Sequence, residues 1–142
     1  LRDVLEVRCA LEELAVQLAC DRIDREELGK LQAAADHFRD VLDSDDITLI
    51  AQADEAFHDV IFTATNNGRL IQLLNNLREQ MYRYRIEYLK KKECYPQLLA
   101  EHRSIIEAIE SHDKEKATAI TGQHINNQVD TVVGTLRHRD EE

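Results

Sequence analysis

Residues 47–66 read ITLIAQADEAFHDVIFTATN, and this stretch sets the expectations for the rest of the chain. Its apolar residues recur at helical spacing, which predicts a helix with one core-facing side. The core-facing positions are Ile47, Ile50, Ala51, Asp54, Phe57, His58 and Ile61. Asp54 and His58 are four residues apart, so a helix places both on that inward face. Because burying an unpaired charge costs on the order of several kcal/mol, other parts of the chain are expected to supply partners.

The composition of the 142-residue chain favours a single all-α domain. One Pro, four Gly and no Trp leave few helix breakers, and residues that favour helices are abundant. Periodicity predicts further helices at about residues 1–20 and 69–92. Three more are predicted to begin after the capping residue Asp24, near Pro96, and after the capping residue Asp113. Because the connections are short, neighbouring helices are expected to pack as an antiparallel bundle.

Charge and patterning exclude several classes of protein. A net charge of −10 argues against nucleic-acid binding by this segment, because such binding needs a basic surface. No apolar run approaches the roughly 20 residues of a membrane span, and no signal peptide is recognised. Three cysteines without a CxxC pair are typical of a reducing compartment, so a cytoplasmic location is expected. The chain begins at Leu1 already in helical register, so we expect it to be part of a longer protein.

Two further histidines interrupt apolar stripes in the same way. His102 lies among the leucines and isoleucines of the fifth predicted helix, and His124 lies on the apolar face of the sixth. A lone histidine in such a place is usually a hydrogen-bonded core residue. Three of them with an aspartate can converge inside a bundle, which is a usual place for metal sites. We therefore predict Asp54, His58, His102 and His124 as ligands of one divalent metal ion.

The types of ligand restrict the identity of the metal. Imidazole and carboxylate suit Zn²⁺, Ni²⁺, Fe²⁺, Mn²⁺ or Cu²⁺, and the lack of a nearby cysteine disfavours a closed structural zinc site. An ion that prefers five or six ligands would keep one or two positions for water or a small oxygen donor. A carboxylate metabolite bound there could pair its other end with Arg8.

Charged residues near this set have more than one interpretation. Arg8 either forms an i,i+4 ion pair with Glu12 or reaches a buried anion, and both remain open. Arg85, in the run MYRYRIEY, suits a polar pocket, a subunit contact or a half-exposed helix face. Glu101 is a candidate acceptor for a ligand imidazole, although a surface charge is the more common role for such a residue.

These residues resemble the FCD domain, the C-terminal effector-binding domain of FadR-type members of the GntR family of bacterial transcription regulators. The matching pattern comprises Asp54-x3-His58, Glu101-His102 followed by Ile105, Ile106, Ala108 and Ile109, then Ala117 and His124, with Arg8-x2-Leu11-Glu12 and Asn67-x2-Leu70. The resemblance covers essentially the whole chain, residues 1–142.

The resemblance implies an antiparallel bundle of six or seven helices that forms a homodimer. It also implies a divalent metal ion (Zn, Ni, Mn or Fe) at the four matching positions, beneath a pocket for a small, often carboxylate, metabolite. We take Arg8, Arg85 and Asn127 as candidate contacts for that metabolite. In the family, DNA is bound by an N-terminal winged helix-turn-helix domain, which is expected upstream and is absent from this chain.

The sequence therefore predicts a sensing and dimerisation domain of a transcription regulator, with two alternatives. A metal-dependent, hydrolase-like enzyme would need a free general base near the metal, for which Glu101 is the adjacent candidate. The chain shows no nucleophile–base pair, phosphate-binding Gly loop or dinucleotide fingerprint. A helical interaction module with histidines merely packed in its core is the other alternative, and it predicts that chelators leave stability unchanged.

Overall fold

The computed structural model describes the backbone of residues 2–141 and the side chains of residues 2–134. The regular structure in that part of the chain comprises seven α-helices, namely α1 (Arg2–Arg22), α2 (Arg25–Val41), α3 (Ile47–Ala64), α4 (Gly68–Asn76), α5 (Arg78–Leu89), α6 (Tyr95–Glu110) and α7 (Lys114–Glu141), and two 3₁₀ turns at Leu42–Ser44 and Lys92–Cys94. The predicted all-α bundle is thereby confirmed. None of the helices within the described residues combines the length and apolar character needed to cross a bilayer.

Side-chain caps begin four of the helices, including α7, where Asp113 accepts a hydrogen bond of 3.1 Å from the backbone N–H of Lys116. Asp24 accepts a hydrogen bond of 2.8 Å from the backbone N–H of Glu27, and the two residues form a capping box at α2. Asp46 and Asn67 each accept a hydrogen bond from the third backbone N–H of α3 and α4, respectively. Each cap satisfies an N–H that the first turn of a helix leaves unpaired. The cap at Asp46 fixes where α3 begins, and thereby which of its residues face inward.

The prediction of one helix over residues 69–92 is wrong, because the structure divides this segment into α4 and α5. Leu77 lies between them with φ −98° and ψ −1°, and its N–H bonds to the carbonyl of Leu74 rather than to the residue four back. No Pro or Gly within residues 69–92 marks the break. Its stabilisation is tertiary, since Arg78 at the start of α5 donates hydrogen bonds to Asp59 on α3 and Asn75 on α4.

The packing of α3 brings distant parts of the chain together. α3 packs against α1, α2 and α5, while α7 packs against α1, α5 and α6, and α6 also contacts α2. The inward face of α3 is the predicted one, with Ile50, Ala51, Asp54, Phe57, His58 and Ile61 buried. Ile47 is partly exposed at the start of the helix. Polar residues of α1, α5, α6 and α7 therefore meet beside the buried carboxylate and imidazole of α3.

Candidate metal and effector site

Asp54 and His58 lie in the middle of α3 and point into the core. Their relative exposures are 2% and 5%. The Nε2 atom of His58 is 3.6 Å from Oδ1 of Asp54, as expected for residues one helical turn apart. The two side chains thus form a polar centre inside an apolar helix face, as the sequence pattern predicted.

His102 approaches this centre from α6. Its Nε2 atom lies 2.9 Å from Oδ1 of Asp54, and its ring stacks on Phe57 with a centroid distance of 4.0 Å. Asp54, His58 and His102 each offer a ligand atom, and these atoms all lie within 4.8 Å of one another. The buried Nδ1 atom of His102 has no hydrogen-bond partner among the described residues. Two helices thus supply three groups of the kind that bind a divalent metal.

His124 on α7 lies beside this group but outside the 4.8 Å set. Its ring centroid is 5.4 Å from that of His58 and 6.4 Å from that of His102. Its Nδ1 atom is 2.7 Å from Oε2 of Glu101, whereas its buried Nε2 atom has no partner among the described residues. The Glu101 side chain is 11% exposed, so it is not the surface charge that its sequence position favoured. A carboxylate on Nδ1 fixes the tautomer that leaves Nε2 free to bind a metal.

Arg85 on α5 pairs directly with Asp54. Its Nε atom donates to Oδ2 of Asp54 at 2.7 Å, and its Nη1 atom lies 3.6 Å from Oε2 of Glu55. Both Arg85 and Asp54 have side chains that are 2% exposed. The second oxygen of Asp54 is therefore occupied by a guanidinium, and the first faces the two imidazoles. Of the sequence alternatives for Arg85, the polar pocket describes what the structure shows.

Arg8 on α1 lies in a second buried pair. Its Nε atom donates to Oε2 of Glu12 at 2.6 Å and its Nη1 atom to Oε1 of Gln128 at 2.5 Å. Its Nη2 atom is buried without a partner among the described residues, as is the Nδ2 atom of Asn127 on α7. The ion pair with Glu12 is therefore present, and Arg8 also has one donor left over inside the protein.

Sequence reasoning missed the approach of Glu12 to His58 and the hydrogen bond of Gln128 with Arg8. Glu12 is 3% exposed, and its Oε1 atom lies 4.0 Å from Nδ1 of His58, so it belongs to the polar centre as well as to the Arg8 pair. Gln128 is 2% exposed and lies four residues after His124 on the same face of α7. Their positions in the apolar stripes beside Arg8 and His124 were the available signal.

The electrostatics of the centre favour the forms that bind a cation. Burial raises the pKa of the Asp54 carboxyl, but the charge of His58, hydrogen bonds from His102 and His58, and Arg85 together hold that pKa well below its usual 3.8. Burial also raises the pKa of the Glu12 carboxyl, but the charges of Arg8 and His58 outweigh burial, so the pKa of Glu12 is lowered. Burial lowers the pKa of His102 below its ordinary 6.5, although Asp54 opposes this. Ionised carboxylates and a neutral imidazole are the states that coordinate a metal.

The fold and the site together define a class of protein. Its members are all-helical bundles with a buried polar centre of the kind that binds a metal. The sequence profile of the FCD domain matches residues 3–127, so the chain belongs to the FCD domain family.

Two curated relatives agree with this assignment. The chain is 26% identical over 140 residues to the uncharacterized HTH-type transcriptional regulator YdhC of Bacillus subtilis (strain 168), with 98% of this chain and 62% of YdhC covered. It is 24% identical over 137 residues to RmpR of Mycobacterium gastri, also described as an HTH-type transcriptional regulator, with 95% and 49% covered. The chain thus spans about half to three fifths of these relatives. They are regulators, which does not favour the enzyme alternative.

Solved structures show the same fold. Escherichia coli McbR/YncC superposes with a TM-score of 0.85 at 16% identity, covering 94% of this chain and 68% of that one. The metal-free FCD domain of TM0439, described as a transcriptional regulator, gives a TM-score of 0.75 at 25% identity, covering 96% and 94%.

Proposed function

We propose that this chain is the effector-sensing and dimerisation domain of a cytoplasmic transcription regulator of the GntR type. A winged helix-turn-helix domain N-terminal to it would bind DNA. The family assignment and the two HTH-type relatives, each longer than this chain, support the proposal. The net charge of −10 agrees with placing the DNA contacts in another domain.

Asp54, His58, His102 and His124 would hold one divalent metal ion. The observation that carries this assignment is the set of three ligand atoms within 4.8 Å, together with a buried, unpartnered Nε2 on His124. The donor set fits Zn²⁺, Ni²⁺, Mn²⁺ or Fe²⁺. Glu101 acts on His124 by holding Nδ1–H, which orients the ring and raises the basicity of its other nitrogen.

A small carboxylate metabolite is the proposed effector. When bound, the metal supplies an electrophilic position that accepts a carboxylate oxygen. Arg8 and Asn127 are suited to the other end of such a molecule, because each has a buried N–H donor without a partner among the described residues. An unmade hydrogen bond of this kind costs about 1–3 kcal/mol, which a ligand oxygen would recover. Arg85 remains a candidate contact, although Asp54 and Glu55 occupy it in this arrangement.

Sensing would operate by a shift between arrangements of the helices. An effector that binds one arrangement more tightly moves the population toward it, and in a homodimer this changes the spacing of two DNA-binding domains. A coupling of about 1–3 kcal/mol between effector and DNA is sufficient for regulation.

The metal assignment is tested by zinc titration of the purified protein and of single alanine variants at Asp54, His58, His102 and His124. We expect one ion per chain in the wild type and at least roughly tenfold weaker binding in each variant, since each loses one ligand. His37→Ala is the matched control, because His37 is exposed on α2. Equal zinc affinity in all the proteins would end the assignment.

The effector assignment is tested by thermal unfolding with dicarboxylates and sugar acids. Zinc-loaded wild type should be stabilised by a member of the panel, in the amount that ligand linkage requires. Arg8→Gln should abolish that shift without changing zinc affinity. A shift that persists in Arg8→Gln would place the carboxylate elsewhere.

A further inference from the structure

Asp54 and His58 are almost completely removed from solvent in this arrangement. Two cavities reach His58, one on the α1 and α7 side and one between α3, α4 and α5, and each has a volume of about 10 Å³. That is the space of roughly one water molecule. A hydrated metal ion or a metabolite can therefore reach His58 through either cavity only if the surrounding helices move apart.

The cavity between α3, α4 and α5 is lined both by buried residues of the centre and by partly exposed residues near the surface. At its inner end lie His58 and Arg85, whose side chains are 6% and 2% exposed. At its outer end lie Arg78, Asp59 and Glu55, whose side chains are 40%, 38% and 27% exposed. This gradient of exposure marks a closed path whose mouth is formed by three charged side chains.

Arg78 ties the mouth of this path together. Its two terminal nitrogens donate to the two carboxylate oxygens of Asp59 at 3.1 and 2.8 Å, and Nη1 lies 3.0 Å from Oε1 of Glu55. A further bond of 2.9 Å joins Nη2 to Oδ1 of Asn75 on α4. Such a fork is geometrically specific and stronger than a single-point ion pair. The fork joins α3, α4 and α5 beside the break between α4 and α5.

An alternating series of charges connects this fork to the centre. Glu55 accepts from Arg78 through Oε1 and lies 3.6 Å from Nη1 of Arg85 through Oε2. Arg85 in turn donates to Asp54 at 2.7 Å. Releasing Arg78 leaves the acidic pair Glu55 and Asp59 at the mouth, and such a pair attracts a divalent cation.

From these contacts we infer that Arg78 is a latch that closes the path between solvent and the Asp54 centre, and that it opens by releasing Asp59 and Glu55. This inference rests on the proposed function. The break at Leu77 lets α4 and α5 move apart without breaking a continuous helix.

A groove of about 190 Å³ between α2 and α6 also reaches His102, but there the imidazole is packed between Phe57 and Phe38, with centroid distances of 4.0 and 4.8 Å.

The test measures zinc exchange rather than zinc affinity. The rate of zinc release into excess chelator and the rate of zinc uptake are followed by stopped flow for wild type, Arg78→Gln and Asp59→Asn. Both variants should exchange zinc roughly tenfold faster in each direction, with an equilibrium affinity within about threefold of wild type, because a latch changes a barrier and not the bound state. Arg83→Gln is the control, since Arg83 is an exposed arginine of α5 that pairs with Glu79 on the same helix.

The exchange rates of the three variants test whether Arg78 is a latch. Unchanged exchange rates in Arg78→Gln and Asp59→Asn overturn the latch, as does an equal acceleration in Arg83→Gln, which would indicate a general charge effect. A thermal midpoint measured for each variant identifies one that fails to fold, and the other variant then carries the test. Failure of wild type to bind zinc at all would instead contradict the proposed metal site, and the latch with it.

Discussion

At the scale of the residue, Asp54 shows how a buried carboxylate is accommodated. Arg85 neutralises one of its oxygens, while His58 and His102 face the other. A buried pair contributes little net stability, but removing one partner leaves an uncompensated charge in a medium that solvates it poorly. Arg85 is therefore needed for stability in the absence of metal, whatever else it contacts.

Replacing Arg85 by methionine should destabilise the metal-free protein by about 3–5 kcal/mol, because Asp54 keeps its charge and loses the guanidinium that pairs with its Oδ2 atom. Urea unfolding measures this difference. Arg83→Met, an exposed change on the same helix, should cost less than about 0.5 kcal/mol. Adding Asp54→Asn to Arg85→Met should recover part of the loss. A loss below about 1 kcal/mol in Arg85→Met would mean that the imidazoles alone can compensate the carboxylate.

Glu101→Gln should weaken zinc binding by roughly 10–100-fold, the usual effect of removing the carboxylate that orients a ligand imidazole. The amide keeps the size of the side chain and removes its charge. Competition with a chromophoric chelator measures the affinity. The control is Glu107→Gln, since Glu107 is an exposed acid six residues after Glu101 on α6. An unchanged affinity in Glu101→Gln would show that His124 binds no metal or needs no orientation.

The sequence could predict the polar residues of the site to the extent that helical register reports burial. Asp54, His58, His102 and His124 occupy positions where the pattern asks for an apolar residue, and all four are buried. The pattern does not report which nitrogen faces which oxygen. The contact of Glu101 with His124 depends on how α6 packs against α7, so the local sequence suggested Glu101 as a candidate acceptor for a ligand imidazole but favoured a surface charge.

At the scale of the element, the main surprise is the division of the segment 69–92. The apolar stripe continues through Leu70 and Leu74 to Met81, so periodicity alone predicts one helix. The interruption at Leu77 lies beside the fork of Arg78 onto Asp59, a contact between residues 19 apart in the sequence that periodicity does not report. By contrast, the beginnings of α2 and α3 are local events, and their capping residues were visible in the sequence.

Asn67→Ala should destabilise the protein by about 0.5–2 kcal/mol, because the Asn67 side chain accepts the backbone N–H of Leu70 at the start of α4. Urea or thermal unfolding measures the effect. Asn76→Ala provides the comparison, since Asn76 is an exposed residue at the other end of α4. It should change stability by less than about 0.5 kcal/mol. An equal loss of stability in Asn67→Ala and Asn76→Ala would show that the Asn67 cap does not specifically stabilise the protein.

At the scale of the whole molecule, the buried ionisable groups make stability depend on pH. The unfolded chain binds a proton at His102 near pH 6.5, whereas the folded protein resists protonation there because its pKa is lowered. Stability from this group is present above pH 6.5 and is lost as pH falls toward the lowered folded value. Asp54 and Glu12 act in the same direction at lower pH, since both have lowered folded pKa values.

The metal-free protein should therefore lose more stability than His102→Gln as pH falls from 7 through the range below 6.5. The comparison with the variant is needed because acidification also relieves the repulsion of a net charge of −10. Urea unfolding at a series of pH values gives the two slopes. Parallel slopes would show that His102 titrates alike in the folded and unfolded states.

Anomalous diffraction at the zinc edge from crystals of the zinc-loaded protein tests the central claim most directly. We expect one peak per chain, about 2.0–2.2 Å from an imidazole nitrogen of each of His58, His102 and His124 and from an oxygen of Asp54. The claim would be contradicted if, at saturating zinc, the anomalous peak lay elsewhere on the chain or no peak lay beside the three imidazoles.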